Sequence, residues 1–161
     1  MPPLPDERGR RHPVHHTPVE KDNRTTLIFL TICTKDRRPV LAHPDMQRVL
    51  VEWWKKADHW LVGKYIILPN HVHLFCAPGV SPQSLQSWIG YWKNGVARQR
   101  PGEKRNPFWQ RDFWDTQLRS ADSYEKKWEY VRHNPVRHKL IDSADAWPYQ
   151  GEIHPFEWHD T

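Results

Sequence analysis

Hydrophobic positions follow two different periods along the chain, and the changes of period mark the predicted elements. Residues 26–34 form a short apolar run rich in β-branched side chains, which is typical of a buried strand. From Asp45 onward, apolar residues recur at intervals of three and four, which predicts a helix with one buried face. The charged stretch 35–39 between these segments predicts a turn.

A hairpin is predicted after this first helix. Residues 61–68 and 71–77 both have strand character, and the Pro-Asn pair at 69–70 is a typical turn sequence. The two strands are therefore expected to pair directly with each other.

A second helix and a short strand follow the hairpin. Ser81 and Pro82 favour a helix start, because serine caps helix N-termini and proline suits the first helical position. The apolar stripe of this helix continues until Pro101 ends it. A further short strand is predicted within residues 112–118.

The last predicted helix begins at the capping box 122–125 and stops at Pro135, because proline disfavours helical geometry at the preceding residue. The order of elements is then β-α-β-β-α-β followed by a helix. This is the split βαβ order of ferredoxin-like folds. We therefore expect an α+β fold, an antiparallel sheet with packed helices, and a C-terminal helix that carries Tyr130.

The chain of 161 residues is long enough for one domain with its own core. Residues 1–22 are rich in Pro, Arg and His, so we expect a disordered arm, followed by one domain at 23–150 and a C-terminal tail at 151–161. No apolar run approaches the about 20 residues of a membrane span, and the arm lacks the apolar region of a signal peptide. These patterns predict a cytoplasmic protein without a membrane partner.

The composition favours a polyanionic partner. The 24 Lys and Arg residues exceed the 19 Asp and Glu residues, which gives a formal charge of +5. Ten tryptophans add aromatic surface on which unpaired bases can stack, although at least half of them are expected in the core. Cys33 and Cys76 lie in apolar strands without metal-binding spacing and are expected to be inert buried thiols.

Two histidines occur at alternate positions of a predicted strand. Side chains alternate between the faces of a strand, so His71 and His73 should point to one face, and Val72 and Leu74 to the other. Such a pair can chelate one metal ion. The same pattern also fits ordinary surface or core histidines, so a metal site needs a third ligand.

The last helix contains a candidate for this ligand. Tyr124, Trp128 and Val131 form its apolar stripe, and Tyr130 lies off that stripe. Tyr130 and Asn134 are four residues apart, so a phenol and a carboxamide should project from one helix face. Spacing alone leaves a second interpretation open, in which they are an exposed aromatic residue and a helix terminator.

Three separated motifs resemble a known family. LPNHVHLF, FWQRDFWDTQLRS and YVRHNPVRHKLI occur in this order between residues 26 and 149. Together they resemble the single-tyrosine HUH transposases, and most closely the REP-associated tyrosine transposases. The resemblance implies that His71, His73 and Asn134 bind Mg²⁺ or Mn²⁺ and that Tyr130 is the nucleophile. Insertion-sequence relatives carry Gln in place of Asn134, so their dimeric arrangement is not transferred; we expect a monomer without an obligate protein partner.

The same resemblance implies a metal-dependent endonuclease and strand transferase for single-stranded or hairpin DNA, acting in DNA transposition or recombination. Attack by Tyr130 would give a 5′-phosphotyrosine and a free 3′-hydroxyl, which conserves the phosphodiester bond for rejoining. Trp109 is the candidate for base stacking, and Gln110 beside it is a further DNA-binding candidate. The candidates for DNA phosphate contacts are the basic residues Arg37, Arg38, Lys93, Arg98, Arg105, Arg119, Lys127 and Arg132.

Two other functions are compatible with parts of this pattern. A catalytically silent single-stranded DNA-binding protein of the same fold would use the same basic and aromatic surface. A metal hydrolase built on the two histidines would need acidic ligands nearby, whereas the chain continues with Leu74, Phe75 and Cys76.

Overall fold

The computed structural model describes residues 26–81 and 83–156, so the arm expected at 1–22 lies outside the described residues. No described helix has the length and apolar character needed to cross a membrane. The described elements are the strands β1 (Leu27–Cys33), β2 (Trp60–Leu68), β3 (His71–Pro78), β4 (Trp114–Leu118) and β5 (Gln150–Glu152) and the helices α1 (Pro44–Lys56), α2 (Leu85–Gln99), α3 (Ala121–Arg132) and α4 (Asn134–Arg137).

The five strands form one antiparallel sheet in the order β4-β1-β3-β2-β5. The order of the first seven elements is the predicted one, and the α+β fold with a C-terminal helix is confirmed. β1 lies between β3 and β4, so that Thr31 is opposite both His73 and Trp114. This register brings a β1 hydroxyl beside the predicted metal ligands.

The predicted boundary between domain and tail was wrong. Gln150–Glu152 forms β5, which pairs with β2 at the edge of the sheet. The chain then continues along β2, because the backbone N–H of Ile153 donates to the carbonyl of Gly63 at 3.1 Å. Phe156 packs so closely over Gly63 that a Cβ there would lie 2.5 Å from its ring. The domain therefore includes residues that were assigned to the tail.

Each face of the sheet covers its own core. The larger core lies between the sheet and the helices α1 and α2, and it includes Val72 and Leu74 of β3. The smaller core lies beneath α3. Its buried apolar residues are Leu27, Phe29, Ile66, Leu68, Phe75, Ala77, Leu118, Tyr124, Val131 and Trp147.

Most tryptophans are core residues, as predicted, since seven of the ten are buried. Trp109 is among them, and the expectation that bases stack on its ring was wrong. The ring is only 7% exposed and packs edge-on against Trp92, with its indole N–H donating to the carbonyl of Lys93 at 3.1 Å. A β-bridge between Thr34 and Trp109 holds this segment against the larger core.

Both cysteines are buried thiols, as predicted. Burial raises the pKa of Cys76 well above its ordinary value, with a smaller contribution from the charge of Asp115. A protonated thiol in the core has no nucleophilic role.

Two helix starts differ from the prediction. Ser84 rather than Ser81 caps α2, because its hydroxyl accepts a hydrogen bond from the backbone N–H three residues ahead at 3.1 Å. Ser120 caps α3 in the same way at 3.0 Å, so the helix begins before the predicted capping box at 122–125. Several polar residues near each start could serve as caps, and the pattern alone did not distinguish them.

The end of the last helix also differs. α3 ends at Arg132, and α4 begins at Asn134 after a break at His133. Pro135 lies inside the first turn of α4. Backbone N–H groups of a first turn have no partner within the helix, so a proline there costs no hydrogen bond. The break at His133 lies between Tyr130 and Asn134.

Candidate metal and nucleophile site

The two histidines of β3 are buried on the face covered by α3. His71 is 0% exposed and His73 is 3% exposed, and their rings meet edge-on with centroids 4.7 Å apart. Val72 and Leu74 lie in the opposite core. The predicted separation of the two faces is therefore confirmed.

The neighbour of His71 determines which of its ring nitrogens carries the proton. The Nδ1 atom lies 2.7 Å from the carboxamide oxygen of Asn70. A carboxamide oxygen only accepts, so Nδ1 must donate, and Nε2 of the neutral ring keeps a lone pair. Nε2 is buried and has no hydrogen-bond partner among the described residues. This unsatisfied nitrogen is an available metal ligand.

His73 has a partner on each side. Its Nε2 lies 3.3 Å from the amide nitrogen of Asn134, and its Nδ1 lies 2.9 Å from the hydroxyl oxygen of Thr31. An amide nitrogen only donates, so Nε2 accepts, and Nδ1 carries the proton and donates to Thr31. Both histidines thus have their lone pair on Nε2, with a second residue holding the other nitrogen, as metal-binding histidines commonly do.

Both histidines are neutral in the folded protein. Burial lowers the pKa of His73 to about 3, with smaller contributions from the charges of Lys127 and Arg137. Burial also lowers the pKa of His71 well below its ordinary value, and nearby charges that include Arg37 lower it further. A neutral imidazole is the form that binds metal ions, so protons do not compete for these nitrogens near neutral pH.

Tyr130 and Asn134 differ strongly in exposure. Tyr130 is 46% exposed, whereas Asn134 is 7% exposed and faces β3. Arg137 connects the two residues. Its guanidinium carbon lies 3.9 Å from the centroid of the Tyr130 ring, and its Nη2 donates to the Tyr130 carbonyl at 2.6 Å and to Oδ1 of Asn134 at 2.9 Å.

Three residues of this arrangement were missed in the sequence. Asn70 lies within the motif LPNHVHLF, and Arg137 lies within YVRHNPVRHKLI, seven residues after Tyr130. A signal was available for both, because each is a polar residue within three positions of a predicted ligand. Thr31 carried none, because its place opposite His73 depends on strand register.

Two of the predicted DNA-binding residues lie near the histidines. The Lys127 ammonium lies 4.9 Å from the centroid of the Phe29 ring, which itself stacks on His73 at 5.2 Å. Arg37 contributes to the lowered pKa of His71, and it has a left-handed backbone with φ of 52°. Such a conformation is unfavourable for a residue other than glycine and is typical of functional loops.

The other predicted DNA-binding residues lie elsewhere or have protein partners. Lys93 is partly buried, and its Nζ donates to the backbone carbonyl of Gln110 at 2.8 Å, so its ammonium has a protein partner. Arg132 pairs with Glu129 at 3.2 Å and with Asp145. The remaining four are Arg98, which lines an open cavity, Arg38 and Arg105, which line another cavity of about 320 Å³, and Arg119, which is exposed.

No group of three or more His, Cys, Asp or Glu residues is placed to hold a metal ion within residues 26–81 and 83–156. Asn134, whose amide nitrogen lies 3.3 Å from Nε2 of His73, is the residue expected as the third ligand.

The chain is similar to known proteins both in sequence and in structure. No protein-family model matches the chain. The chain is 26% identical over 152 residues to a candidate REP-associated tyrosine transposase of Haemophilus influenzae, which covers 82% of this chain and 86% of the relative. It is 21% identical over 139 residues to the REP-associated tyrosine transposase of Escherichia coli, with 81% and 82% covered. These relatives confirm the resemblance seen in the three motifs.

Two solved structures share the fold. A REP-associated tyrosine transposase bound to a REP hairpin matches with a TM-score of 0.65 and 19% identity, covering 88% of this chain and 79% of that chain. A candidate transposase of Deinococcus radiodurans matches with a TM-score of 0.50 and 16% identity, covering 68% and 90%. At these identities the structural matches establish the fold.

Proposed function

We propose that this chain is a metal-dependent enzyme that nicks and rejoins single-stranded DNA through a 5′-phosphotyrosine intermediate on Tyr130. The observation that carries the proposal is the buried pair of neutral histidines: Nε2 of His71 has no described hydrogen-bond partner, and Nε2 of His73 lies 3.3 Å from the amide of Asn134, just beyond the helix that bears Tyr130. The relatives named as transposases support the same class of DNA chemistry. The hairpin bound to the solved relative supports hairpin-forming DNA as the substrate class.

His71, His73 and Asn134 would hold the metal ion, either Mg²⁺ or Mn²⁺. The residues fit an ion, because the buried Nε2 of His71 has no described hydrogen-bond partner and such a group is unfavourable unless something binds it. A bound ion would neutralise charge on the scissile phosphate.

The proposed reaction exchanges one phosphodiester bond for another. The Tyr130 oxygen loses its proton and attacks the phosphorus, the new O–P bond forms, and the bond from phosphorus to the 3′ oxygen breaks. The leaving 3′ oxygen takes up a proton and becomes a hydroxyl. Attack of that hydroxyl on the phosphotyrosine reverses the step, so rejoining needs no ATP. The guanidinium of Arg137 packs against the Tyr130 ring, so a cation lies beside the proposed nucleophile.

Positive charge near the histidines suits a nucleic-acid backbone. Arg37, Lys127 and Arg137 each act electrostatically on one of the two imidazoles, and DNA phosphates are attracted to such a cluster. Because Trp109 is buried, its ring does not support a preference for an unpaired strand. The similarity to REP-associated tyrosine transposases supports that preference.

A covalent-adduct assay tests the proposal. The full chain, Mn²⁺ and single-stranded hairpin oligonucleotides from repeats flanking its own gene should give a protein–DNA adduct that survives SDS. Tyr130→Phe should abolish the adduct, and a fully paired duplex should give little of it.

Tyr124→Phe is the matched control, because Tyr124 lies on the same helix but is buried, and burial raises its pKa to about 12. This variant should form the adduct at the wild-type level. An undiminished adduct in Tyr130→Phe would remove Tyr130 from the reaction. Binding of the oligonucleotide without any adduct would favour the catalytically silent alternative.

A further inference from the structure

The carboxamide of Asn134 lies between two partners that determine its orientation. Nη2 of Arg137 is 2.9 Å from Oδ1, and Nε2 of His73 is 3.3 Å from Nδ2. A guanidinium has donors only, so it can bond only the oxygen of the carboxamide. The amide nitrogen is then directed at His73. The hydrogen-bonding network, rather than the shape of the side chain, assigns this orientation.

This orientation conflicts with metal binding. The amide N–H occupies the same Nε2 lone pair of His73 that a metal ion would take. If Asn134 and His73 are to bind one ion, the carboxamide must turn so that its oxygen replaces its nitrogen beside His73. The turned amide would present its NH₂ group to Arg137, and two donors would then face each other.

We propose that Arg137 is a positioning residue that holds Asn134 closed to the metal, so that metal binding requires Arg137 to release the carboxamide. The inference rests on the metal site of the proposed function. It gives an exposed arginine outside the ligand set control over metal affinity.

Arg137 can release Asn134 without leaving its place. Its Nη2 also donates to the Tyr130 carbonyl at 2.6 Å, and its guanidinium stacks on the Tyr130 ring. That carbonyl is near the C-terminal end of α3, where a cation is stabilised by the helix dipole. Release therefore breaks one hydrogen bond, and the guanidinium stays beside the nucleophile.

A loss of positive charge would by itself favour a bound cation, so the test needs a charge control. Lys127 provides it, because it lowers the pKa of His73 more strongly than Arg137 does. If charge alone mattered, Lys127→Met would tighten metal binding at least as much as Arg137→Met.

Calorimetric titration of the full chain with Mn²⁺ measures the effect. Arg137→Met should bind Mn²⁺ roughly tenfold more tightly than the wild type, which corresponds to removing one charge-assisted hydrogen bond, and clearly more tightly than Lys127→Met. Arg137→Lys, which keeps the charge and a donor, should lie between the wild type and Arg137→Met. Equal tightening in Arg137→Met and Lys127→Met, or weaker binding in Arg137→Met, would overturn the inference.

A second measurement needs no metal. Nitrogen-15 NMR of the metal-free chain should show His73 with its proton on Nδ1, and Arg137→Met should add a population with the proton on Nε2, because the freed amide can offer its oxygen. A wild type already protonated on Nε2 would contradict the inference. Failure of the proposed function is recognised separately, because His71→Ala would then leave Mn²⁺ binding unchanged.

Discussion

The two faces of the sheet bury side chains of opposite kinds. The face beneath α1 and α2 buries six tryptophans in a continuous apolar core. The face beneath α3 buries a smaller apolar core together with His71, His73, Thr31 and Asn134. Alternate residues of the same strand, β3, supply both faces. The alternation of one strand therefore separates the large apolar core from the polar residues of the candidate site.

The high tryptophan content is explained by the larger core, which contains six of these residues. Aromatic residues in a basic chain are compatible with base stacking, yet four of the six tryptophans of the larger core donate their indole N–H groups to protein atoms. Trp60 and Trp88 donate to the backbone carbonyls of Gln83 and Ala57 at 2.8 and 2.5 Å. Their abundance reports on packing between sheet and helices.

The largest expected effect is on the tryptophan face. Trp88→Ala should lower the free energy of unfolding by about 3–5 kcal/mol, because Trp88 is fully buried and its loss leaves a cavity. Urea denaturation measures the loss, and the exposed neighbour Gln86→Ala should stay within about 0.5 kcal/mol of the wild type. Where Trp88→Ala remains folded, it should still form the DNA adduct. Loss of the adduct in the folded variant would show that the faces are not separable.

The histidine face should make stability depend on pH. The pKa of His73 falls from 6.5 to about 3 on folding, and that of His71 also falls well below 6.5. Between these values the unfolded chain binds protons that the folded chain does not, so the free energy of unfolding decreases as the pH falls below 6.5. Each histidine contributes at most about 1.4 kcal/mol per pH unit.

Urea denaturation at pH 7, 6 and 5 measures this dependence. A variant that carries both His71→Ala and His73→Ala should show a flatter profile than the wild type. Parallel profiles for the two proteins would mean that the histidines do not resist protonation.

The smallest effect on stability is expected from removing one site histidine. His71→Ala should change the free energy of unfolding by about 1–2 kcal/mol, because the substitution also removes a buried nitrogen without a described partner. It should abolish the DNA adduct, whereas Val72→Ala on the opposite face should keep it. A loss of stability as large as that of Trp88→Ala would identify His71 as a packing residue.

Local patterns predicted the elements better than their ends. The alternation along β3 placed His71 and Val72 on opposite faces, and the order of the first seven elements was confirmed. The helix caps Ser84 and Ser120 were not predicted, because neighbouring serines and aspartates can form the same hydrogen bond. β5 was also missed, since a three-residue edge strand has too few positions to show an alternation.

The separation in sequence between interacting residues decides how much of the site could be predicted. Alternation along one strand is local, so the shared orientation of His71 and His73 could be read from residues two apart. The hydrogen bonds of His73 join residues 42 and 61 positions away, namely Thr31 and Asn134. These depend on strand register and on the break between α3 and α4, which tertiary packing sets. The sequence therefore identifies the candidate groups of the site, and the packed sheet and helices decide which ring nitrogen of each histidine keeps its proton and which keeps its lone pair.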